Sequence, residues 1–249
     1  MSNIFDDVLS GAAEFAINSA PEQAKQAEIA QKTYEWHISR LGKISNSMLP
    51  VLMTRGRGEM WGATAISYLN KLKVERTLSD DGRDIYVRQL MAKEYVQTNW
   101  GIMYEPDARK LFELRADLDT YDAGFVQRET IENYGGSVDF MAEDGCPGEI
   151  KCPFDTVVHE ENLQTSYSDL PKNHKYFAQC QGHILLTGAN ICYFVSYDPR
   201  RRDEDKLAII TVTRDDMYQN ELKERIVLAN EAIEKAIKDR ISIDSILRK

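Results

Sequence analysis

Between Gly136 and Lys151 the chain reads as two short strands around a turn, and the polar residues there can be placed by parity alone. Glu143, Asp144 and Gly145 supply the turn. If all three form the loop, with Gly145 in the left-handed position, Ala142 pairs with Cys146 and Asp139 falls opposite Glu149. A two-residue loop at Asp144 and Gly145 would put the two acids on opposite faces, because a one-residue slip turns every side chain over. Glu149 and Lys151 are two apart and share a face, while Val138 and Ile150 can point to the core. In the three-residue register, two carboxylates and one ammonium converge. Facing carboxylates repel, so the arrangement is tolerable mainly with a divalent cation between them. Oxygen ligands with little sulfur or imidazole favour Mg²⁺ or Mn²⁺. Such a cation activates water and neutralises charge developing on a phosphodiester, and Lys151 would position that water or stabilise the transition state. A solvated hairpin with ordinary surface charges has the same spacing, and spacing alone favours that plainer reading.

The rest of the chain sets the frame. Its 249 residues, 43% hydrophobic, can bury one sizeable core, and no linker divides them; a single domain over 1–249 is expected. A formal net charge of -9 argues against a protein that coats nucleic acid by bulk electrostatics, so a DNA partner would need a local basic groove. Cys146, Cys152, Cys180 and Cys192 form no C-x-x-C pair and read as free thiols. Asp6, Asp7 and Glu14 interrupt the apolar residues at the start, so no signal peptide is expected. No stretch is long enough to span a bilayer, and a cytoplasmic location is expected.

The first part, 1–118, reads as mainly helical. A helix is expected over about 21–38, opening at Pro21, and a short one from Ser45 or Asn46. A longer one follows Gly58 with Trp61, Ala65, Tyr68 and Leu72 on one face. Helical character continues over 86–118, with bends near Gly101 and Pro106. The second part, 119–213, reads as a catalytic sheet with an inserted helix. Extended segments are expected at 125–134, 137–142 and 148–152, with turns at Gly135-Gly136 and Asp144-Gly145. A helix bearing Tyr176, Phe177, Cys180 and Ile184 precedes two strands, 191–197 and 207–212, that flank a charged turn. The third part, 214–249, is a helix from about Asp215 past Ile237, with Glu231–Lys235 and Glu234–Lys238 pairs on its outer face. The strands should be mostly antiparallel.

Five islands resemble one family. Ser137-Val138-Asp139 with Gly148-Glu149-Ile150-Lys151-Cys152-Pro153-Phe154 is similar to the core motif of the lambda exonuclease and YqaJ-type viral recombinase family, within the PD-(D/E)XK nuclease superfamily. The likeness continues in 36–42 with Ser45 and Ser47, in 100–109, in 178–181 and in 197–200. It implies an α/β (α+β) fold: a restriction-endonuclease-like core with a mixed central sheet flanked by helices and a helical N-terminal part. It further implies that Asp139 and Glu149 bind metal with the Ile150 carbonyl, that Lys151 is the catalytic lysine, and that Glu105 and Gln179 assist from two helices. Arg40 and Ser47 match positions that hold the 5′-phosphate of the digested strand, with Ser45 and Ser137 beside them. Read plainly, Glu105 is a helical surface acid paired with Arg109, Gln179 lies on the wet side of an amphipathic helix, and Arg40 and Ser47 make a salt bridge and a helix cap. Arg55 and Arg57 form a mobile basic loop that either enters a groove of the duplex or is simply solvated. Arg200–Arg202, beside Asp203 and Glu204, read as surface. The family's Pro before the aspartate is Val138 here, which keeps the strand and frees φ. Residues 1–30 and 155–173 show no match.

The expectation is therefore a Mg²⁺-dependent exonuclease, with Mn²⁺ as substitute, that degrades one strand of duplex DNA from a 5′-phosphorylated end. It would leave a 3′ single-stranded tail for phage-type recombination. The resemblance implies a homotrimeric ring, a single-strand annealing protein as partner, and a phage or prophage origin. The rivals are an endonuclease of the same superfamily, for restriction or repair, and a catalytically silent DNA-binding module.

Overall fold

A computed structural model describes residues 31–92, 96–165, 170–172 and 174–248. Most of the expected helix over 21–38 lies outside them. What is described differs from that expectation: Lys32 has a left-handed φ of 67°, and helix α1, Tyr34–Arg40, starts afresh with the Thr33 hydroxyl accepting from Trp36 N at 3.2 Å. Strand β1, Ile44–Ser45, leads into a 3₁₀ turn at Asn46–Met48 and helix α2, Leu49–Leu52. Ser45 holds the cap position of that turn without a side-chain cap bond. Helix α3, Ala63–Arg76, begins after Trp61, and α4 is Asp80–Met91. Helix α5, Val96–Ala116, continues through Gly101 and Pro106.

Two sheets follow. Strands β2 (Thr120–Tyr121), β5 (Phe140–Ala142), β6 (Pro147–Lys151), β7 (Ile191–Tyr197) and β8 (Leu207–Thr213) line up in that order. Within this five-stranded sheet the β6–β7 pair is the parallel one, since helices α6 (Thr156–Thr165) and α7 (Phe177–Thr187) carry the chain across; α6 lies in the stretch for which the sequence offered no reading. Strands β3 (Phe125–Gln127) and β4 (Tyr134–Ser137) join β1 in a smaller sheet. Helix α8 is Asp216–Lys238, capped by Asp215, and α9 is Asp244–Leu247.

Gly135 and Gly136 are not a turn but the middle of β4. Neither has a positive φ; what they supply is the lack of a side chain, because a Cβ on Gly135 would lie 2.6 Å from Phe125 Cζ and one on Gly136 2.8 Å from Asn46 Cβ. The turn falls earlier, where Asn133 takes φ 52°.

Side-chain alternation sorts the five-stranded sheet into two faces. Phe140, Ile150, Val195 and Tyr197 pack with Ala108 and Phe112 of α5, while Cys192, Phe194, Ile210 and Val212 pack with Phe177, Cys180 and Ile184 of α7. A third cluster joins α2, α3 and α8 through Leu49, Leu69, Leu72, Leu222 and Ile226. Each such fully buried Leu, Ile or Phe contributes about 1.5–3 kcal/mol. Helix α7 is buried from Phe177 through Leu186, so a helix without a wet face lies directly behind β6. On α8 the expected pairs are replaced: Glu234 bonds Arg76 and Lys235 bonds Asp239, which tie the helix to α3 and close its C-terminal end.

Candidate active site

The hairpin takes the three-residue register. Gly145 has φ 81°, Ala142 N donates to Cys146 O at 2.9 Å, and Phe140 pairs with Gly148. Asp139 sits in the bend where the chain leaves β4 for β5. Its N donates to Gly148 O at 3.1 Å, and its Oδ2 accepts from Ile150 N at 2.6 Å. Gly148 is required here, since a Cβ would lie 2.0 Å from the Phe140 ring; the bare backbone lets β6 lie flush and aims Glu149 at α7.

Glu149 is 1% exposed, and both of its oxygens are engaged. Oε1 accepts from Gln179 Nε2 at 2.7 Å and from Lys151 Nζ; Oε2 faces His183 Nε2 at 2.5 Å. Gln179 and His183 are four apart on α7, on one helical face. Burial pushes the Glu149 carboxyl up, but Lys151 and the hydrogen bond from His183 outweigh it and hold its pKa at about 2. Burial likewise works against the Lys151 ammonium, and Glu149 with Asp139 more than offsets that, so its pKa is raised. Asp139 moves the other way: burial, then repulsion by Glu149, lift its carboxyl well above the usual range. The acids thus form an asymmetric pair, one firmly ionised and the other ready to hold a proton, as expected of facing carboxylates.

Behind the pair stands a buried relay that the sequence reading missed. His183 Nδ1 lies 2.9 Å from Asn46 Nδ2, and Tyr134 OH donates to Asn46 Oδ1 at 2.5 Å. Since Asn46 Oδ1 accepts from Tyr134, Nδ2 is the donor toward His183; Nδ1 accepts, and Nε2 carries the proton given to Glu149. The signal was present: His183 follows Gln179 by one helical turn, and Asn46 separates the two serines already singled out.

Gln31, Lys32, Gly101, Ile102, Glu105, Asp139, Ile150, Lys151 and Cys152 line an open cavity of about 300 Å³ at this end of the sheet. Glu105 reaches it from α5, on the opposite face of the sheet from Gln179. Its pKa is raised by burial, with Lys32 opposing and Glu149 reinforcing. The ion pair with Arg109 of the plainer reading is not formed: Arg109 instead bonds Thr120 and pairs with Asp122 and Glu113. Gln179, 8% exposed, is not on a wet face either. Gln31 and Lys32 were not anticipated, because their stretch reads as continuous helix.

A second pocket is lined by Trp36, Arg40, Ser45, Ser47 and Tyr68. Arg40 stacks on Trp36 at 4.1 Å and donates to Ser47 Oγ at 3.3 Å, the same distance that separates Ser45 Oγ from Ser47 Oγ. Tyr68 OH accepts from Ser45 N at 3.1 Å, and Lys43 and Lys71 also line the pocket. Among the described residues no carboxylate pairs with Arg40; Glu75 at the pocket wall binds Gly42 N, Tyr86 and Lys71 instead. A half-buried guanidinium without an acid, beside two hydroxyls, is chemically an anion site. Trp36 Nε1 donates to Ser137 Oγ at 2.8 Å, tying this pocket to the chain two residues before Asp139.

The loop with Arg55 and Arg57 is pinned. Gly56 and Glu59 form an antiparallel bridge around Arg57 and Gly58, whose φ is 72°. Buried Arg225 binds Leu52 O at 2.7 Å and Met60 O at the other end, and stacks on Trp61. Arg55 pairs with Glu221 at 2.5 Å, while Arg57 is exposed at the tip. The Arg200–Arg202 run divides: Arg202 pairs with neighbouring acids, whereas Arg200 binds buried Asp198 at 2.7 Å, stacks over the Trp100 ring at 4.7 Å, and donates to Pro153 O and Phe154 O, bracing the segment after β6.

Among the described residues no cluster of three or more His, Cys, Asp or Glu side chains is arranged as a metal cage. The donor set still suits a hard cation held by few protein ligands, because Asp139 and Ile150 line the cavity and the Asp139 carboxyl is repelled by buried Glu149 next to Ile150.

The family model described as the YqaJ-like viral recombinase domain matches residues 35–190. The fold is similar to an alkaline exonuclease (LHK-Exo) from Laribacter hongkongensis, with TM-score 0.69, 27% identity, and 83% of this chain and 95% of that chain covered. The same enzyme in complex with dAMP gives TM-score 0.67 at 27% identity, with the same shares covered. A phage-related exonuclease from Haemophilus somnus 129PT shares the fold, with TM-score 0.61, 14% identity, and 82% and 99% covered. Among curated proteins none matches the chain.

Proposed function

Because the chain belongs to the YqaJ-like viral recombinase domain family, we propose that it is a metal-dependent exonuclease that digests the 5′-ended strand of duplex DNA and leaves a 3′ tail for phage-type recombination. The observation that carries this reading is that Asp139 and Lys151 line one cavity with buried Glu149 bonded to Lys151 behind them, together with an anion pocket built on Arg40. Asp139, Glu149 and the Ile150 carbonyl would hold Mg²⁺, with Mn²⁺ as a substitute. The bound cation would supply Lewis-acid activation of a water and of the scissile phosphate. Lys151, kept protonated by its two acidic neighbours, orients the attacking water and stabilises charge on the phosphate oxygens. Gln179 and His183 hold the Glu149 carboxylate in one orientation, as groups behind a metal ligand do. Glu105, with its raised pKa, is suited to exchange a proton with that water.

Polarity comes from the second pocket. Arg40, Ser45 and Ser47 receive the terminal 5′-phosphate, Ser137 steadies Trp36 behind Arg40, and exposed Arg57 meets the duplex. Arg55, held by Glu221, supports the loop. The dAMP complex of the Laribacter hongkongensis enzyme supports a deoxynucleotide as ligand of the site. An overall charge of -9 fits local DNA binding if three copies form a ring with basic residues toward its channel, working with a single-strand annealing protein.

The test is digestion of linear duplex with Mg²⁺, both strands resolved on a denaturing gel. Loss of only the 5′-phosphorylated strand, with circular duplex left intact, is expected. Survival of the 5′-ended strand refutes the polarity, nicking of circles makes it an endonuclease, and binding without cleavage makes it a silent DNA-binding module.

A further inference from the structure

Three polar side chains stand in a row with almost no solvent: Glu149 at 1% exposure, His183 at 0% and Asn46 at 2%. Buried polar groups cost stability unless every one is bonded, and apolar residues would fill the same space more cheaply. Here each is bonded to the next, Glu149 Oε2 to His183 Nε2 at 2.5 Å and His183 Nδ1 to Asn46 Nδ2 at 2.9 Å, and Tyr134 takes up the remaining Asn46 oxygen. Asn46 also has no room to move. A Cβ on Gly136 would lie 2.8 Å from its Cβ, and one on Gly182 2.6 Å from its Oδ1, so two glycines press their backbones against it.

The 3₁₀ turn gives this row its reach. Asn46 points inward, while Ser45 and Ser47, its neighbours in sequence, line the Arg40 pocket. A shift of the turn by a ligand in the pocket therefore passes through one residue and two hydrogen bonds to a Glu149 oxygen. Neither link is part of the motifs by which the sequence was read.

Resting on the function proposed above, we propose that Asn46 and His183 are positioning residues. They form a strut between the Arg40–Ser47 pocket and Glu149, through which a terminal phosphate in the pocket and Mg²⁺ at Asp139 and Glu149 strengthen each other's binding. The coupling is reciprocal by thermodynamic necessity and belongs to binding, not to turnover.

The test measures affinity for a short duplex with phosphorothioate linkages at its end, bearing either a 5′-phosphate or a 5′-hydroxyl, by fluorescence anisotropy with Mg²⁺ and with EDTA. In the wild-type protein Mg²⁺ should raise the preference for the phosphorylated end about tenfold, within the usual range for coupled sites. Asn46→Ala, which removes no group from either site, should reduce that factor to about twofold or less. It should retain the basal preference measured in EDTA, which Arg40 and Ser47 supply. Tyr134→Phe keeps the ring and releases the Asn46 side-chain oxygen, along with the Gly182 carbonyl that the same hydroxyl reaches at 3.1 Å; it should lower the factor at least about threefold and serves if Asn46→Ala does not fold. An undiminished factor in the folded variants, or a wild-type phosphate preference indifferent to Mg²⁺, overturns the strut. A wild-type protein with no phosphate preference under either condition overturns the pocket reading itself, and the strut with it.

Discussion

Asp139→Asn should make the metal-free protein more stable and at the same time abolish its stabilisation by Mg²⁺. Asp139 keeps one strong hydrogen bond, from Ile150 N, and Asn Oδ1 can accept the same bond. What changes is charge. At the ~4–6 Å over which facing carboxylates act, each unit-charge pair is worth about 3–4 kcal/mol at an effective dielectric of about 20. The repulsion from Glu149 and the attraction to Lys151 are therefore of similar size and largely cancel. Burial decides the balance, and leaving a poorly compensated charge there costs about 2 kcal/mol. In a protein of this length that corresponds to roughly 4–8 °C in Tm.

The pH dependence gives the sign. The folded-state pKa of Asp139 is raised, by burial first and then by Glu149, so its contribution is complete below the unfolded value, about 4, and is lost as pH rises through the folded value. Glu149 runs oppositely. Its pKa is lowered to about 2, so its contribution is present above the unfolded value and is lost as pH falls toward 2. Calorimetric scans in EDTA from pH 5 to 8 should show the wild-type protein losing stability relative to Asp139→Asn as pH rises, with the variant higher at pH 8. Adding Mg²⁺ should raise the wild-type Tm and leave the variant unmoved. A variant melting at or below wild type at pH 8 in EDTA, or stabilised equally by Mg²⁺, would refute the reasoning that ionised Asp139 is under strain until a cation arrives.

Three further outcomes follow from the geometry. Lys151→Ala should retain binding to DNA ends while its single-turnover rate falls about 10²–10³-fold, the size of effect seen when a transition-state donor is removed; an unchanged rate would remove Lys151 from the mechanism. Arg57→Ala should weaken duplex binding and reduce the salt slope of the binding constant by about one, whereas Arg55→Ala should leave the slope alone, because Arg55 is already paired with Glu221. Gly148→Ala should cost about 3 kcal/mol or more in urea unfolding, since its Cβ would meet the Phe140 ring at 2.0 Å; a loss under about 1 kcal/mol would mean that β6 can lift off without penalty.

How much of this could be read in advance depended on whether the governing interaction was local. The hairpin register was legible because it turns on one glycine: Gly145 takes a positive φ, and the three-residue loop follows. Helix α8 was legible because its apolar positions repeat every turn and Asp215 caps it. Gly135 and Gly136 were misread for the converse reason. A glycine pair signals a turn only when glycine is needed for its backbone freedom, and here it is needed for its missing Cβ, which depends on Phe125 and Asn46. Pro106 did not end α5, because a helix buried against Phe140 and Val195 is held by packing as well as by its own hydrogen bonds. Helix α6 gave little local signal, with His159 and Asn162 as its buried residues.

The same division explains the site. Asp139, Glu149 and Lys151 lie close in sequence, and parity sufficed to bring them together; Glu105 and Gln179 needed a family resemblance, since nothing local says that helices on opposite faces of a sheet will aim at one strand end. Asn46 and His183 lay outside both kinds of reading, being 137 residues apart and meaningful only as a pair. Yet they are the residues on which the proposed chemistry most depends for geometry. Glu149 stays ionised with its pKa at about 2 while buried because Lys151 and His183 outweigh desolvation, and a donor on α7 keeps its aim only if something fixes its other side. For His183 that something is Asn46. Substitutions in this relay should therefore alter the site's electrostatics without touching DNA or metal, and their effects should combine non-additively with changes at Glu149, whereas changes at Arg57 should be additive with both.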